Sequence, residues 1–233
     1  CSVRTAVTAM QAPDQRERLI KLLERYTAKH VDSLWRSTAL FKLAQALQAQ
    51  GRYDEAATAY QDVIRTYPRM PDSLKSFVPL ADCLLAESRR GGGNSAASRK
   101  RGVELLLDIV DDRGREHIFG PVSAEYHDAL LRLALYYSDA TDAEQAGHEE
   151  LAAARWQQWL ALYPDDPQMP VGRFMLAEAL RRSAARLRDE AKSLMADDQK
   201  QEYLSESTTR LEQAQSEYAL VVSILSKQAQ DSL

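Results

Sequence analysis

The sequence predicts an all-α chain built as a stack of antiparallel helix pairs. Three observations carry that expectation. Apolar residues recur at intervals of three and four, while Val/Ile/Thr alternation over strand lengths is missing. Gly and Pro are confined to punctuation points at Pro13, Gly51, Pro68/Pro71, Gly91–Gly93, Gly114, Gly120/Pro121 and Pro164/Pro167/Pro170, with helix-length segments between them. Two short patterns recur in pairs along the chain, which points to a repeat architecture.

The first pattern is a large apolar residue, Ala, and a second large residue three positions later. It occurs as LAQAL at Leu43–Leu47, LADCL at Leu80–Leu84, LALYY at Leu133–Tyr137 and LAEAL at Leu176–Leu180. The second pattern follows each copy, with a small residue, then large residues at +4 and +7, then a breaker at +12. Ala56, Tyr60, Val63 and Pro68 fill it, as do Ala152, Trp156, Trp159 and Pro164. Gly102, Leu106, Ile109 and Gly114 fill it with a Gly breaker, and Ala214, Tyr218, Val221 and Ser226 with none. The two best copies end alike, in YPRMP at Tyr67 and YPDDP at Tyr163.

The spacing is a packing code. Two antiparallel helices approach closely where small residues face each other, so Ala44 and Ala56 let helix A meet helix B. Leu40, Leu43, Leu47, Tyr60 and Val63 fill the volume around that point. Gly51 takes the left-handed conformation that closes helix A. Asp54 is placed to cap helix B, Tyr53 covers the turn, and Pro68 stops helix B because it lacks a backbone donor.

These residues carry a resemblance. Ser37 to Met70 resembles a tetratricopeptide repeat, with Leu40, Leu43-Ala44, Leu47, Gly51-Arg52-Tyr53, Ala56, Tyr60, Val63 and Pro68 in the signature places. Leu stands where Trp and the first Tyr are usual. The other copies are more degenerate, and their A-to-B spans are longer: 18, 15 and 34 positions against 9 in the first. The YPxxP ends and the ALFKLAQAL helix are also similar to bacterial cell-envelope proteins of this family, of the Tol–Pal and outer-membrane-assembly type. The resemblance implies a right-handed α-α superhelix, a solenoid of helix pairs with variable-length insertions. One solenoid segment then spans residues 1–233, in units near 1–33 (partial), 34–70, 71–114, 121–168 and 169–230, as part of a longer chain. RLIKLLERYT (Arg18 to Thr27) aligns as the B helix of the partial unit, whose A helix is Ser2 to Met10. In the last unit helix A runs to about Ala196 and helix B starts near Gln199, making a long hairpin that either projects or folds over the stack.

Composition bounds the function. Hydrophobic residues make up 45% and charged residues 27%, as in a folded soluble chain. A net charge of −4 excludes a chain that as a whole traps nucleic acid or anionic membrane. Two cysteines, Cys1 and Cys83, are too few for a disulfide framework or a cysteine-rich zinc site. No apolar run reaches the roughly 18 residues of a membrane span, YALVVSIL at Tyr218–Leu225 being among the longest. Cys1-Ser2 reads as the lipid-bearing end of a mature lipoprotein or as a cut in a longer chain. The SVRTAVTAM that follows reads as helix.

Catalysis has no positive signal. Of the histidines, His30 and His117 stand near helix ends or loops, and His127 and His148 precede acidic residues on solvated surface; no H-E-x-x-H occurs. GGGN at Gly91–Asn94 lacks the Gly-Lys-Ser/Thr of a phosphate loop. Cys83, inside LADCL, is a small core hydrophobe. Asp111-Asp112, Asp165-Asp166 and Asp197-Asp198 are capping or solvated pairs at helix ends and turns. No metal site and no cofactor is expected.

The expected function is therefore a non-catalytic scaffold or adaptor for protein–protein interaction. The resemblance places the partner-binding groove on the second, fifth, ninth and twelfth positions of the A helices. The fifth positions are Phe41, Val78, Leu131 and Phe174, an apolar stripe. Around it stand Gln45, Gln48, Lys75, Asp82, Asp128, Leu135, Glu178 and Arg181, so a peptide or helix of a partner protein fits. Pro79 requires the second A helix to start late or kink. One alternative is a regulatory or scaffold segment of a larger multidomain enzyme. Another is RNA or an acidic partner on the basic, flexible loop 88–102, through Arg89, Arg90, Arg99, Lys100 and Arg101, though that loop has no aromatic residue for base stacking. A membrane contact enters only through a lipid on Cys1, and the resemblance leans to a periplasmic or cell-envelope location.

Overall fold

The computed structural model describes residues 13–91, 95–111, 118–139, 147–193 and 196–231. Among these every regular element is helical. Cys1, the Ser2–Met10 helix, most of the GGGN segment, Asp112, Gly114 and His117 lie outside the described residues. The chain divides into two compact units, the first ending at Ala129 and the second beginning at Leu130.

The first unit holds α1 (Pro13–Lys29), α2 (Arg36–Ala49), α3 (Tyr53–Thr66), the single turn α4 (Pro71–Leu74), α5 (Phe77–Arg89) and α6 (Ser95–Val110). Each long helix packs on the next, α1 on α2, α2 on α3, α3 on α5 and α5 on α6, with α4 against α2 and α3. This serial packing is the helix-pair order that the repeated spacing predicts.

The turn between α2 and α3 shows how the sequence produces it. Gly51 is left-handed at φ 74°. Its N–H donates to the Gln48 carbonyl at 2.9 Å and the Arg52 N–H to the Leu47 carbonyl at 3.0 Å, which together satisfy the end of α2 as a Schellman motif. Ala44 and Ala56 are both fully buried where the helices cross, and Tyr60 and Val63 fill the space beside them. Asp54 corrects the sequence reading. It lies inside the first turn of α3 rather than at the cap, which is Arg52 and makes no side-chain cap bond. Asp54 and Glu55 instead set negative charge near the helix N-terminus. Arg52 turns to Glu55, with its Nε 2.7 Å from Oε1.

The second pair repeats the small-residue contact with Ala81 and Gly102. A Cβ on Gly102 would stand 3.0 Å from Leu85 Cγ and 3.2 Å from the Ala81 carbonyl, so α5 and α6 meet as closely as backbone permits. Helix α5 does start late, at Phe77, placing Pro79 in the first turn where an N–H has no intrahelical partner. The loop 88–102 is shorter than the sequence suggested, because Ser95–Arg101 are the opening turns of α6. These are good helix formers apart from Ser, and they extend a helix already anchored by buried Leu105, Leu106 and Ile109.

In the second unit the C-terminal part of α7 (Ala124–Ser138) is followed by α8 (His148–Leu162), α9 (Met169–Ser193) and α10 (Asp197–Asp231). Trp156 and Trp159 are its largest fully buried side chains, with rings edge-on at 5.9 Å. Trp156 Nε1 donates to Ser138 Oγ at 2.8 Å, tying α8 to α7. Gly172 on α9 makes room for Trp159: a Cβ there would lie 3.0 Å from the indole ring. Helices α9 and α10 form the long hairpin, lying antiparallel on one another with Arg173 at Glu217 and Ser207 at Ala184. On α10 the buried residues Ser207, Ala214 and Val221 recur every seven positions, a narrow seam on one face. The hairpin is held to α8 through Glu150, so it is an integral part of the unit.

Candidate interaction surface

The two A-type helices of the first unit turn their fifth positions inward. Phe41 is 7% exposed and meets the ring of Tyr60 edge-on at 5.9 Å; Val78 is buried as well. Beside them Gln45 accepts from Lys42 Nζ at 2.9 Å, and Gln48 accepts from the Tyr60 hydroxyl at 2.9 Å. Burial, with Cys83 and Asp82 close by on α5, pushes the Tyr60 hydroxyl pKa well up. Lys75 is exposed, Asp82 half-buried, and Asp128 exposed next to His127 at 3.2 Å. In the second unit Leu131 is buried, whereas Leu135 and Phe174 are exposed. The expected apolar stripe is thus corrected. Phe41, Val78 and Leu131 are core residues, because these A helices also pack on their own B helices and neighbours, and only Phe174 keeps an open fifth position.

Phe174 repeats the geometry of Phe41. It meets Tyr218 edge-on with centroids 5.9 Å apart and rings at 62°, against 5.9 Å and 63° for Phe41 and Tyr60. Yet Phe174 is 45% exposed. Around it Glu178 accepts hydrogen bonds from Arg181, at 2.8 Å, and from the Tyr218 hydroxyl, which together hold its carboxyl below the usual range. Phe174, Glu178, Arg181 and Tyr218 form one patch with an aromatic centre and a polar edge. Tyr218 is absent from the groove residues inferred from sequence. Its equivalence to Tyr60 through the +4 spacing was the signal that pairs it with Phe174.

The basic residues 89–101 do not stand on a free loop. Arg90 lies over the Tyr53 ring at 4.6 Å, so the cover of the α2–α3 turn is shared between them. Arg101 is 3.7 Å from Glu104, Arg89 and Lys100 are exposed, and Arg99 is half-buried.

A second polar cluster has no local signal in the sequence. Glu150, at the start of α8, receives Ser183 Oγ at 3.0 Å, Arg210 Nη1 at 2.7 Å and the Arg186 guanidinium. Burial pushes the Glu150 carboxyl up, but its backbone hydrogen bond, Ser183, Arg210 and Arg186 prevail and hold it below the usual range. His148 corrects the expectation of a solvated histidine, because its ring packs edge-on against Tyr137 at 5.0 Å. Cys83 is buried, and burial with neighbouring Asp82 pushes its thiol up to about 12. No grouping of three His, Cys, Asp or Glu fit for a metal occurs among the described residues, and no described helix is long and apolar enough to cross a membrane. What the Phe174 patch offers is aromatic contact at its centre and hydrogen bonding at its edge.

Residues 38–69 match the tetratricopeptide repeat family. That is the α2–α3 pair. The fold of nearly the whole chain is similar to crystal structures of kinesin light chain TPR-like repeats from Podosopora anserina. One, a single-substitution variant, has a TM-score of 0.57 and 19% identity, covering 91% of this chain and 93% of that one. The other has a TM-score of 0.55 and 20% identity, covering 93% and 92%. No curated protein matches the sequence. The architecture is therefore a TPR-like helical repeat, and repeats of this kind generally mediate protein–protein interaction. None of these matches points to the cell-envelope members that the YPxxP ends suggested.

Proposed function

We propose that this chain is a non-catalytic interaction module that holds a peptide or helix of a partner protein on the exposed A-helix face of its second unit. The observation that supports the reading is the Phe174 patch. An aromatic residue at a repeat position buried in the first unit is left open here, beside a tyrosine and an Arg–Glu pair that supply hydrogen bonds at its edge. Aromatic anchors with a polar surround are the composition that carries most binding energy in protein interfaces. Leu135, the ninth position of α7, is exposed as well and belongs to the proposed face.

Affinity capture with wild type and a folded Phe174→Glu variant, followed by cross-linking of the retained protein, tests the reading. Expected is a partner retained by wild type, cross-linked near Arg181 or Tyr218, and lost by the variant. Partners that bind both proteins equally would refute the placement. A cell-envelope location belongs to the proposal too, and fractionation of the source cells tests it.

A further inference from the structure

We infer that the groove between α1 and α2 is a docking site for an acidic amphipathic segment of a partner protein. The groove is an open trough of about 380 Å³, lined by apolar side chains and Thr38, with Lys42 at one end. That volume falls within the roughly 300–1,000 Å³ range of ligand pockets. Leu23, Tyr26 and Ala39 make its floor. Its walls are Leu22, 64% exposed, and Trp35, 71% exposed. Val31 and Leu34, on the loop joining the helices, are exposed too. Single exposed apolar residues need no explanation, but a contiguous set around a tryptophan marks a partner surface.

Charge selects the partner. On a helix surface residues three and four apart are neighbours, so Arg18 and Arg25 flank Leu22, and Lys29 follows Tyr26 by three. All three are exposed and make no ion pair or hydrogen bond among the described residues. The acids of α1 with described side chains lie elsewhere. Glu17 faces Lys21 at 3.8 Å and Arg52 at 3.7 Å, and Glu24 adds its field at Arg52. Asp32 stands on the loop joining α1 and α2 and is not among the residues that line the groove. The outer lip therefore carries three unpaired cations along an apolar trough, while Lys42 on the α2 side is already hydrogen-bonded to Gln45. A segment with apolar residues at helical spacing and Asp or Glu beside them satisfies both features, through burial and charge-assisted hydrogen bonds.

The stretch Trp35–Lys42 spans about 10 Å of helix, which fits two turns of ligand. The recessed floor favours such a segment over a membrane surface, because a flat bilayer reaches Leu34 and Trp35 but not Leu23 or Ala39. The inference rests on the interaction-module reading of the chain, yet uses none of the Phe174 patch, which belongs to the other unit.

The test is a displayed library of random 12-residue peptides selected on the whole chain and counter-selected on Leu22→Glu. Leu22 is exposed, so that variant is expected to keep the wild-type circular dichroism. Clones retained by wild type alone should carry a net negative charge and apolar residues at helical spacing. A synthetic, labelled copy of the best clone should lose at least tenfold in affinity on Leu22→Glu and on Arg18→Glu/Arg25→Glu, and none on Phe174→Glu. The same peptide with its acids changed to Lys should regain affinity on Arg18→Glu/Arg25→Glu. Failure to find a clone that separates wild type from Leu22→Glu overturns the inference and leaves the Phe174 reading standing. Neutral or basic clones, or indifference to the arginine reversals, overturn it equally. Sedimentation of wild type, but not Leu22→Glu, with phosphatidylserine-containing vesicles in place of peptide binding would assign the surface to membrane instead.

Discussion

Phe41 and Phe174 occupy the same repeat position and make the same edge-on contact, so truncating each to Ala isolates the effect of burial. A phenylalanine buries about 200 Å² at most, at about 25 cal/mol per Å². With 7% and 45% left exposed, the area lost from water corresponds to about 4.6 and about 2.8 kcal/mol. Alanine keeps its own Cβ, and the open Phe174 site leaves no closed cavity. Phe41→Ala should therefore destabilise by about 4 kcal/mol and Phe174→Ala by about 2 kcal/mol, with the first in the usual range for a core phenylalanine. Urea unfolding followed by circular dichroism measures both. The buried indoles Trp156 and Trp159 report the second unit by fluorescence. A difference of about 2 kcal/mol moves the midpoint by about 1 M urea at an m-value near 2 kcal/mol/M. Equal losses, or a larger loss for Phe174→Ala, would refute the claim that only the first of these rings is a core residue.

Other perturbations test other parts of the structure. Gly51→Ala forces a side chain into the left-handed region and puts a Cβ 3.1 Å from Arg90 Nη2, so it should destabilise by about 1–2 kcal/mol in the same urea assay. Glu150 has a depressed carboxyl pKa. Its contribution is thus present above the unfolded carboxylate pKa of about 4.3 and is lost as pH falls through the folded value. Glu150→Gln should lower stability at neutral pH and flatten the acid limb of the pH–stability curve; an unchanged acid limb would count against the cluster. Cys83, buried with its thiol pushed up to about 12, should resist a thiol reagent in the native protein at pH 8 and react on unfolding. Fast native labelling would contradict its place in the core.

Much of the fold is legible in the sequence because its rules are local. The small residues Ala44, Ala56 and Gly102, the left-handed Gly51 and the late start of α5 before Pro79 each follow from backbone geometry and helix spacing within a few residues. Asp54 and the basic segment 95–101 were misplaced because helix starts shift by a turn according to what the rest of the helix anchors. The contacts at Glu150 were not legible at all: Arg186 and Arg210 stand 36 and 60 positions away, and no spacing pattern links them.

The sequence by itself determined the all-α class, the pairing of helices and the equivalence of Phe41 with Phe174, since periodicity and small-residue contacts are properties of each segment. Only the tertiary structure decided which equivalent residues face solvent. Phe41 lies in a unit where α5 packs against α3 beside its Tyr60 contact, whereas Phe174 stays 45% exposed beside Tyr218 of α10, and Leu22 and Trp35 remain open beside Arg18 and Arg25. Exposure depends on which distant segments come to cover a face, and that is set by the packing of the whole unit.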